Sequence, residues 1–344
     1  MTLIVFSFIA VKKIGGTEMI LFFGILFCFF TNSFFWFLIC FEFILIPIGL
    51  FIWTGKTGER FSRILFILRW TLLFSTPVLM WIFLERIIGR IFEIGGEVII
   101  RRWFLVLCFI FIFAVKFPVF LLHVWLPRAH VEAPTYGRII LAACLLKLGT
   151  YGLFRFLEIR GESFFFLLIG SWGAVLASWV RLIQEDIKAF IAYSRVVHIS
   201  VLFIVFSSQN HLLTLRILTV RVRHGFVSCF LFLWAGERYE ICGTRSLAIL
   251  RGIVSCSTFL SSVFLVFSFI NCGLPFSLNF FREIAVLIQI LSFSWAFSFL
   301  LLIVRFICGV FSFLFFNFSQ EKIKTKPLSE SGLFLLMWRF FFLI

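Results

Sequence analysis

Two lysines stand where lysines rarely stand. Lys116 follows the uncharged run Trp103 to Val115 and precedes Phe117 to Leu122, while Lys147 lies between Ile139 to Leu146 and Leu148 to Phe154. Each is an ammonium in the middle of an apolar segment. At the centre of a bilayer such a group costs about 2.5–3.5 kcal/mol on insertion scales. A lysine near a helix end can reach the interface with its flexible stem, but neither position suits that. The chemistry such a pair can perform is proton or ion transfer, because a partly dehydrated lysine holds its proton less tightly. Glu42, in the apolar stretch CFEFILIP, adds a carboxylate of the same kind.

The elements around Lys116 are built for interruption. Pro118 has no N–H to offer the carbonyl of Ala114, so the helix carrying Lys116 breaks there. Broken helices at membrane depth are tolerated where the freed backbone lies inside protein or against water, and they recur at transport sites. His123 follows Lys116 by seven residues, close to two helical turns, which puts it on a similar face if the helix resumes. The alternative for His123, and the preferred one for His130, is an interfacial cap of the turn. A second break is expected near Gly273 and Pro275, within Leu247 to Ile290, with Glu283 just beyond it.

Composition sets the class. Hydrophobic residues make up 62% of the 344, and Phe alone contributes 55, which describes a polytopic membrane protein and not a soluble domain. The net charge of +15 comes without a basic domain interleaved with aromatics, so nucleic acid is not an expected partner; positive loops facing an anionic leaflet explain it better. The nine cysteines form no C-x-x-C and no Cys/His cluster, so no metal, haem or iron–sulfur site is expected in this chain. No Arg- and Ser-rich amphipathic leader is apparent at the start.

Hydrophobic segmentation gives the fold class: an all-α polytopic membrane protein of about ten or eleven helices. Two of these are discontinuous, one bearing Lys116 and the other leading to Glu283, a pattern that suggests inverted halves meeting at mid-membrane depth. Residues 1–344 are expected to form a single membrane domain: a first half over 17–182, incomplete at its start, a second over 183–316, and a linker with a C-terminal helix over 317–344. Met1 to Val11 is too short to span comfortably.

The string KFPVFLLHVWLPRAHVEAP, followed by LLKLGTYGLFR, resembles the antiporter-like membrane subunits of respiratory complex I, NADH:ubiquinone oxidoreductase. Glu283, in GLPFSLNFFREIAVL, resembles the chain 4 group, since chains 2 and 5 typically carry lysine there. The resemblance implies an inverted-repeat antiporter fold in the mitochondrial inner membrane and a proton relay of Glu42, Lys116, Lys147 and Glu283. It also places Lys188 and His198, in QEDIKAFIAYSRVVHIS, on secondary polar positions of that path beside His123. Glu42 and Lys116 would form a charge pair, Lys147 the central relay, His198 and water the bridge, and Glu283 the outlet. Implied partners are the other membrane-arm subunits, especially chains 2 and 5, and lipids such as cardiolipin. FMN, iron–sulfur clusters and ubiquinone are expected elsewhere in the complex, with no cofactor and no redox chemistry in this chain. A cation/proton antiporter subunit, or a structural membrane-arm subunit that has lost pumping, are the other classes these residues fit.

Two departures from the family pattern carry weight. Glu42 lies about eighty residues earlier than in typical members, so the first helices of the family are missing or nearly so. Arg138, Arg195, Arg223 and Arg282 stand where the family tends to have small residues. Either each needs a buried partner, with Arg282 clamping Glu283 as an ion pair, or some of these codons specify Ser or Gly in the organelle's own code.

Overall fold

The computed structural model describes residues 16–53 except 32, 60–87, 103–132, 145–160, 164–205, 227–236, 258–273, 277–291 and 294–320, with a few isolated positions between them. Expectations on Met1 to Val11, on most of the TGKTGER loop, on Arg223, on Pro275 and on the segment after Gln320 fall outside these residues.

The helices in chain order are α1 (Gly16–Phe30), α2 (Phe34–Trp53), α3 (Arg60–Ile87), α4 (Trp103–Lys116), α5 (Trp125–Glu132), α6 (Leu146–Arg160), α7 (Phe164–Leu182) and α8 (Ile187–Val205). They continue with α9 (Val227–Gly236), α10 (Thr258–Asn271), α11 (Leu278–Leu291) and α12 (Trp295–Gln320). Counting α4 with α5 and α10 with α11 as two broken helices gives ten helices among the described residues. Among the described residues, three stretches are long and apolar enough to cross a membrane unaided: Ile64–Leu84, Ile187–Ile204 and Trp295–Leu314.

The polarity of the molecule is inside-out relative to a soluble protein. Large apolar side chains such as Phe23, Phe27, Phe43, Leu73, Phe299 and Phe306 are exposed, while Lys116, His130, Lys188, Arg195 and His198 are buried. Exposed apolar surface on this scale needs a lipid or protein neighbour. The buried charges are then held where intramembrane charges normally lie, facing the bundle interior.

The bundle is centred on α8. Its stretch Ile187–Ile204 is 94% buried, against 22% for Ile64–Leu84 and 33% for Trp295–Leu314, so α8 is the hub and the other two are rim. α7 and α8 form the tightest hairpin. A Cβ on Gly170 would lie 2.9 Å from the Ser200 carbonyl oxygen, so only glycine permits that approach. Around this hub α1, α2, α3, α4 and α6 pack consecutively on one side, and α10, α11 and α12 on the other. α5, after the first break, and α11, after the second, both reach α8.

Both expected breaks are present. α4 ends at Lys116 itself, and residues 117–124 turn before α5 begins. The carbonyls that Pro118 was expected to leave free are taken up locally. Val119 N–H donates to the Ala114 oxygen at 3.1 Å, and the Trp125 indole Nε1 donates to the Val115 oxygen at 2.8 Å. Leu121 turns through a φ of 82°, in the left-handed region. Of the two readings left open for His123, the structure has the turn: that histidine does not lie on a helical face continuing from Lys116. At the second break α10 ends at Asn271, and Gly273 adopts a φ of 75°. The Ser277 hydroxyl caps α11 by accepting from Phe280 N–H at 3.3 Å.

Candidate proton-path site

At the first break Lys116, as the last residue of α4, reaches across to α2. Its Nζ donates to Glu42 Oε1 and stands 4.1 Å from the centroid of the Phe41 ring. The pair is nearly sealed, with Lys116 2% and Glu42 11% exposed. A charge taken this far from water is tolerated because its opposite is in hydrogen-bond contact and an aromatic face lies beside it.

The second lysine is brought to the same break by glycine. A Cβ on Gly149 of α6 would sit 3.2 Å from the Lys116 carbonyl oxygen, so the absence of a side chain lets α6 lie directly on the end of α4. Lys147, two residues earlier, is half-buried, and the Thr150 hydroxyl donates to its carbonyl at 2.8 Å.

On the hub helix, Lys188 and His198 are both buried, and Lys188 Nζ lies 4.0 Å above the Tyr239 ring. His198 and Glu283 line one small cavity between α8, α11 and α12, together with Arg305, Cys272 and Cys308. Its volume of about 30 Å3 holds one or two water molecules. Glu283 is wedged into the second break: a Cβ on Gly273 would stand 2.6 Å from Glu283 Oε2. Arg305 of α12 closes the site, with Nε 3.6 Å from Glu283 Oε2 and Nη2 donating to the Gly273 carbonyl at 3.2 Å.

The structure thus joins Glu42 to Lys116 and sets His198 and Glu283 on a shared cavity. It keeps His123 apart from both groups: the ring stacks on Phe120 with centroids 4.9 Å apart and meets Tyr193 edge-on. His130 is corrected from an interfacial cap to a core residue. It is fully buried on α5, stacked 4.6 Å from the Phe232 ring, with Nε2 3.4 Å from Arg195 Nη1. Arg138 and Arg195 are both buried, and the Arg195 guanidinium lies over Phe232 at 4.4 Å. The side chain of Arg282 lies outside the described residues; among them Arg305 is a cation on Glu283.

Arg305 and Arg181 escaped the reading of the sequence. Arg181 is buried with its guanidinium 4.3 Å over Phe190 and 5.2 Å over Phe311. Their signal was the one that exposed the lysines: a lone cation in an apolar run, LLIVRFICGV for Arg305 and ASWVRL for Arg181.

Comparison with known proteins fits this arrangement. The family model described as NADH:quinone oxidoreductase/Mrp antiporter, TM matches residues 31–309. The NADH-ubiquinone oxidoreductase chain 4 of Rhipicephalus sanguineus is 33% identical over 321 residues, spanning 89% of this chain and 72% of the relative. Among solved structures, the archaeal membrane-bound sulfane sulfur reductase complex contains a chain that superposes with a TM-score of 0.86 at 16% identity, over 95% of this chain and 71% of that one. Respiratory complex I from Thermus thermophilus with bound NADH contains another, with a TM-score of 0.76 at 24% identity, over 95% and 72%. These two likenesses show the fold. With ten helices among the described residues, two of them broken beside buried charges, and the sequence match over most of its length, the chain belongs to the antiporter-like membrane-subunit family of NADH:quinone oxidoreductases, in its chain 4 group.

Proposed function

We propose that this chain carries protons across the mitochondrial inner membrane as a membrane-arm subunit of respiratory complex I. The path runs from the Glu42–Lys116 pair through Lys147 and the α8 groups Lys188 and His198 to Glu283. The observation that carries the reading is the Lys116–Glu42 contact at the end of a broken helix, since a sealed ion pair beside a second half-buried lysine is a proton donor poised next to an acceptor. When Glu42 moves away, the lysine loses its counter-charge and passes its proton toward Lys147. Gly149 supports this step by holding α6 against the Lys116 backbone. The cavity shared by His198 and Glu283 supports a solvent-bridged last step. The driving energy comes from quinone reduction in other subunits, which also hold the FMN and iron–sulfur clusters. Chains 2 and 5, with lipids such as cardiolipin, are the neighbours. The halves over 17–182 and 183–316 meet at α7 and α8.

Lys147→Met in the assembled complex tests this. Proton flux through this subunit is expected to disappear while the complex still assembles, so that fewer protons move per electron in reconstituted vesicles. An unchanged ratio overturns the relay. A second reading, a structural subunit whose outlet is arrested, is favoured by one observation: Glu283 is held by Arg305, a cation that does not give up its proton. Under that reading Lys147→Met leaves the ratio unaltered.

A further inference from the structure

We infer that Tyr239 is a positioning residue for Lys188: its ring holds the lysine's ammonium in one place at the start of α8, through the charge and not through bulk. Lys188 is the second residue of α8 and is buried, and its Nζ stands 4.0 Å from the centroid of the Tyr239 ring. That is well inside the distance over which an aromatic face attracts a cation. The ring's negative face pulls on the ammonium and has no comparable hold on the neutral amine. It therefore favours the proton-loaded lysine and fixes where the loaded group stands.

The ring reaches Lys188 because the chain after α9 is tied back onto α8. Asp186, two residues before Lys188, pairs with Ser246 in an isolated antiparallel bridge. Closer to the ring, the Gly243 N–H donates to the Tyr239 carbonyl at 2.9 Å. Gly243 turns there through a φ of 68°, a left-handed value that suits glycine. One tie fixes the backbone that carries the ring, and the other fixes the same stretch of chain to the residue row that starts α8. Tyr239 is half-buried whereas Lys188 is 3% exposed, so the ring is the outer of the two groups and covers the inner one.

A second lysine on the proposed path is held in the same way. The Lys116 ammonium stands 4.1 Å from the Phe41 ring, and there too the ring comes from a different element than the lysine. A relay needs the charged end of a flexible four-carbon stem at a reproducible distance from the next group. An aromatic face supplies that hold without taking the proton. The consequence for flux rests on the proposed proton path; the hold of the ring on the ammonium does not.

The test uses inner-membrane vesicles carrying the intact complex with Tyr239→Phe, Tyr239→Trp, Tyr239→Leu or Tyr239→Met. Brief treatment with acetic anhydride, followed by peptide mass spectrometry, reads the hold on Lys188, because only a reachable, unprotonated amine is acetylated. Acetylation of Lys188 is expected to rise several-fold in the leucine and methionine variants and to return near the native level with phenylalanine and tryptophan. Tryptophan separates charge from bulk, since a packing role would make the largest ring the worst fit. Labelling unaltered in both ringless variants, or as high with tryptophan as with leucine, overturns the inference. Proton-to-electron ratio is read in the same vesicles. It is expected to fall in the ringless variants, to recover with phenylalanine, and to fall no further when Tyr239→Leu is added to Lys188→Met. A further fall in that double variant means that the ring acts other than through the lysine, and also overturns the inference. Raised acetylation with an unaltered ratio establishes the hold of Tyr239 on Lys188 and counts against the proton path through that lysine.

Discussion

The two broken helices carry the same device in different chemistry. At the first, a carboxylate from α2 meets a lysine; at the second, a carboxylate in α11 meets an arginine from α12. Lysine changes its protonation state readily when its surroundings change, whereas arginine stays charged in a protein. The Glu42–Lys116 pair can therefore release a proton from its cation, and the Glu283–Arg305 pair only from its acid. Solvent access differs in the same sense: Lys116 is 2% exposed, whereas Arg305 is 25% exposed and borders a water-sized cavity. On the proposed path, one end is then a sealed store and the other a wetted outlet under restraint.

The contrast breaks first at Lys116. Lys116→Ala leaves Glu42 buried without its cation, a loss of about 3–5 kcal/mol, and removes the store itself. Proton flux in reconstituted vesicles is expected to fall at least tenfold, and the melting temperature of the membrane arm to drop. Flux at the native level in that variant would make the two pairs equivalent ornaments of the fold. Next in size is Gly273→Ala. The new Cβ meets the Glu283 carboxylate and sits at a left-handed backbone position. The backbone strain alone is about 1–2 kcal/mol. The variant is expected to reduce flux several-fold at the outlet while leaving the Glu42–Lys116 contact intact in its structure.

Arg305→Gln sharpens the same comparison. It frees Glu283 from a fixed cation, so a few-fold change in flux with normal complex abundance is expected, whereas Arg305→Lys should stay near the native rate. Equal effects from the two substitutions would mean that the charge at 305 does not govern the outlet. Smallest is Trp125→Phe. It removes the indole donor to the Val115 carbonyl. The lost hydrogen bond costs about 1 kcal/mol, visible as a modest loss of thermal stability with flux little altered.

How much of this was readable in advance follows from which forces were local. Pro118 and Gly273 act on their own backbones, so both breaks were legible in sequence. Lys116 and Lys147 stood out because charge in an apolar run is conspicuous wherever the chain folds. His130 was misplaced because its burial depends on α8 and α9, which supply Arg195 and Phe232 from far along the chain. His123 stayed open between helix and turn because the turn runs on to Trp125, held by an indole bond that no helical period announces. Arg305, a cation on Glu283 from another helix, was not sought, because no local pattern links positions 283 and 305.

Arg195 raises the remaining question left by the sequence. Its Nε and Nη2 are buried with no hydrogen-bond partner among the described residues. A guanidinium so placed is a heavy liability, which is the outcome expected if that codon specifies a small residue. Peptide mass spectrometry of the native chain across position 195 is expected to return a serine or glycine mass. An arginine mass there would require a counter-anion in the assembled complex.

The elbow after Lys116 has a mechanical corollary. Val119 and Trp125 have already claimed the two carbonyls that a moving joint would need to swap between partners. Rebending would strip both bonds inside a dry interior, so the backbone at this corner works as a bracket. Any travel of the charge must then come from the lysine's own four-carbon arm or from α2 sliding past it, and the stroke of the device is limited to a side chain's length.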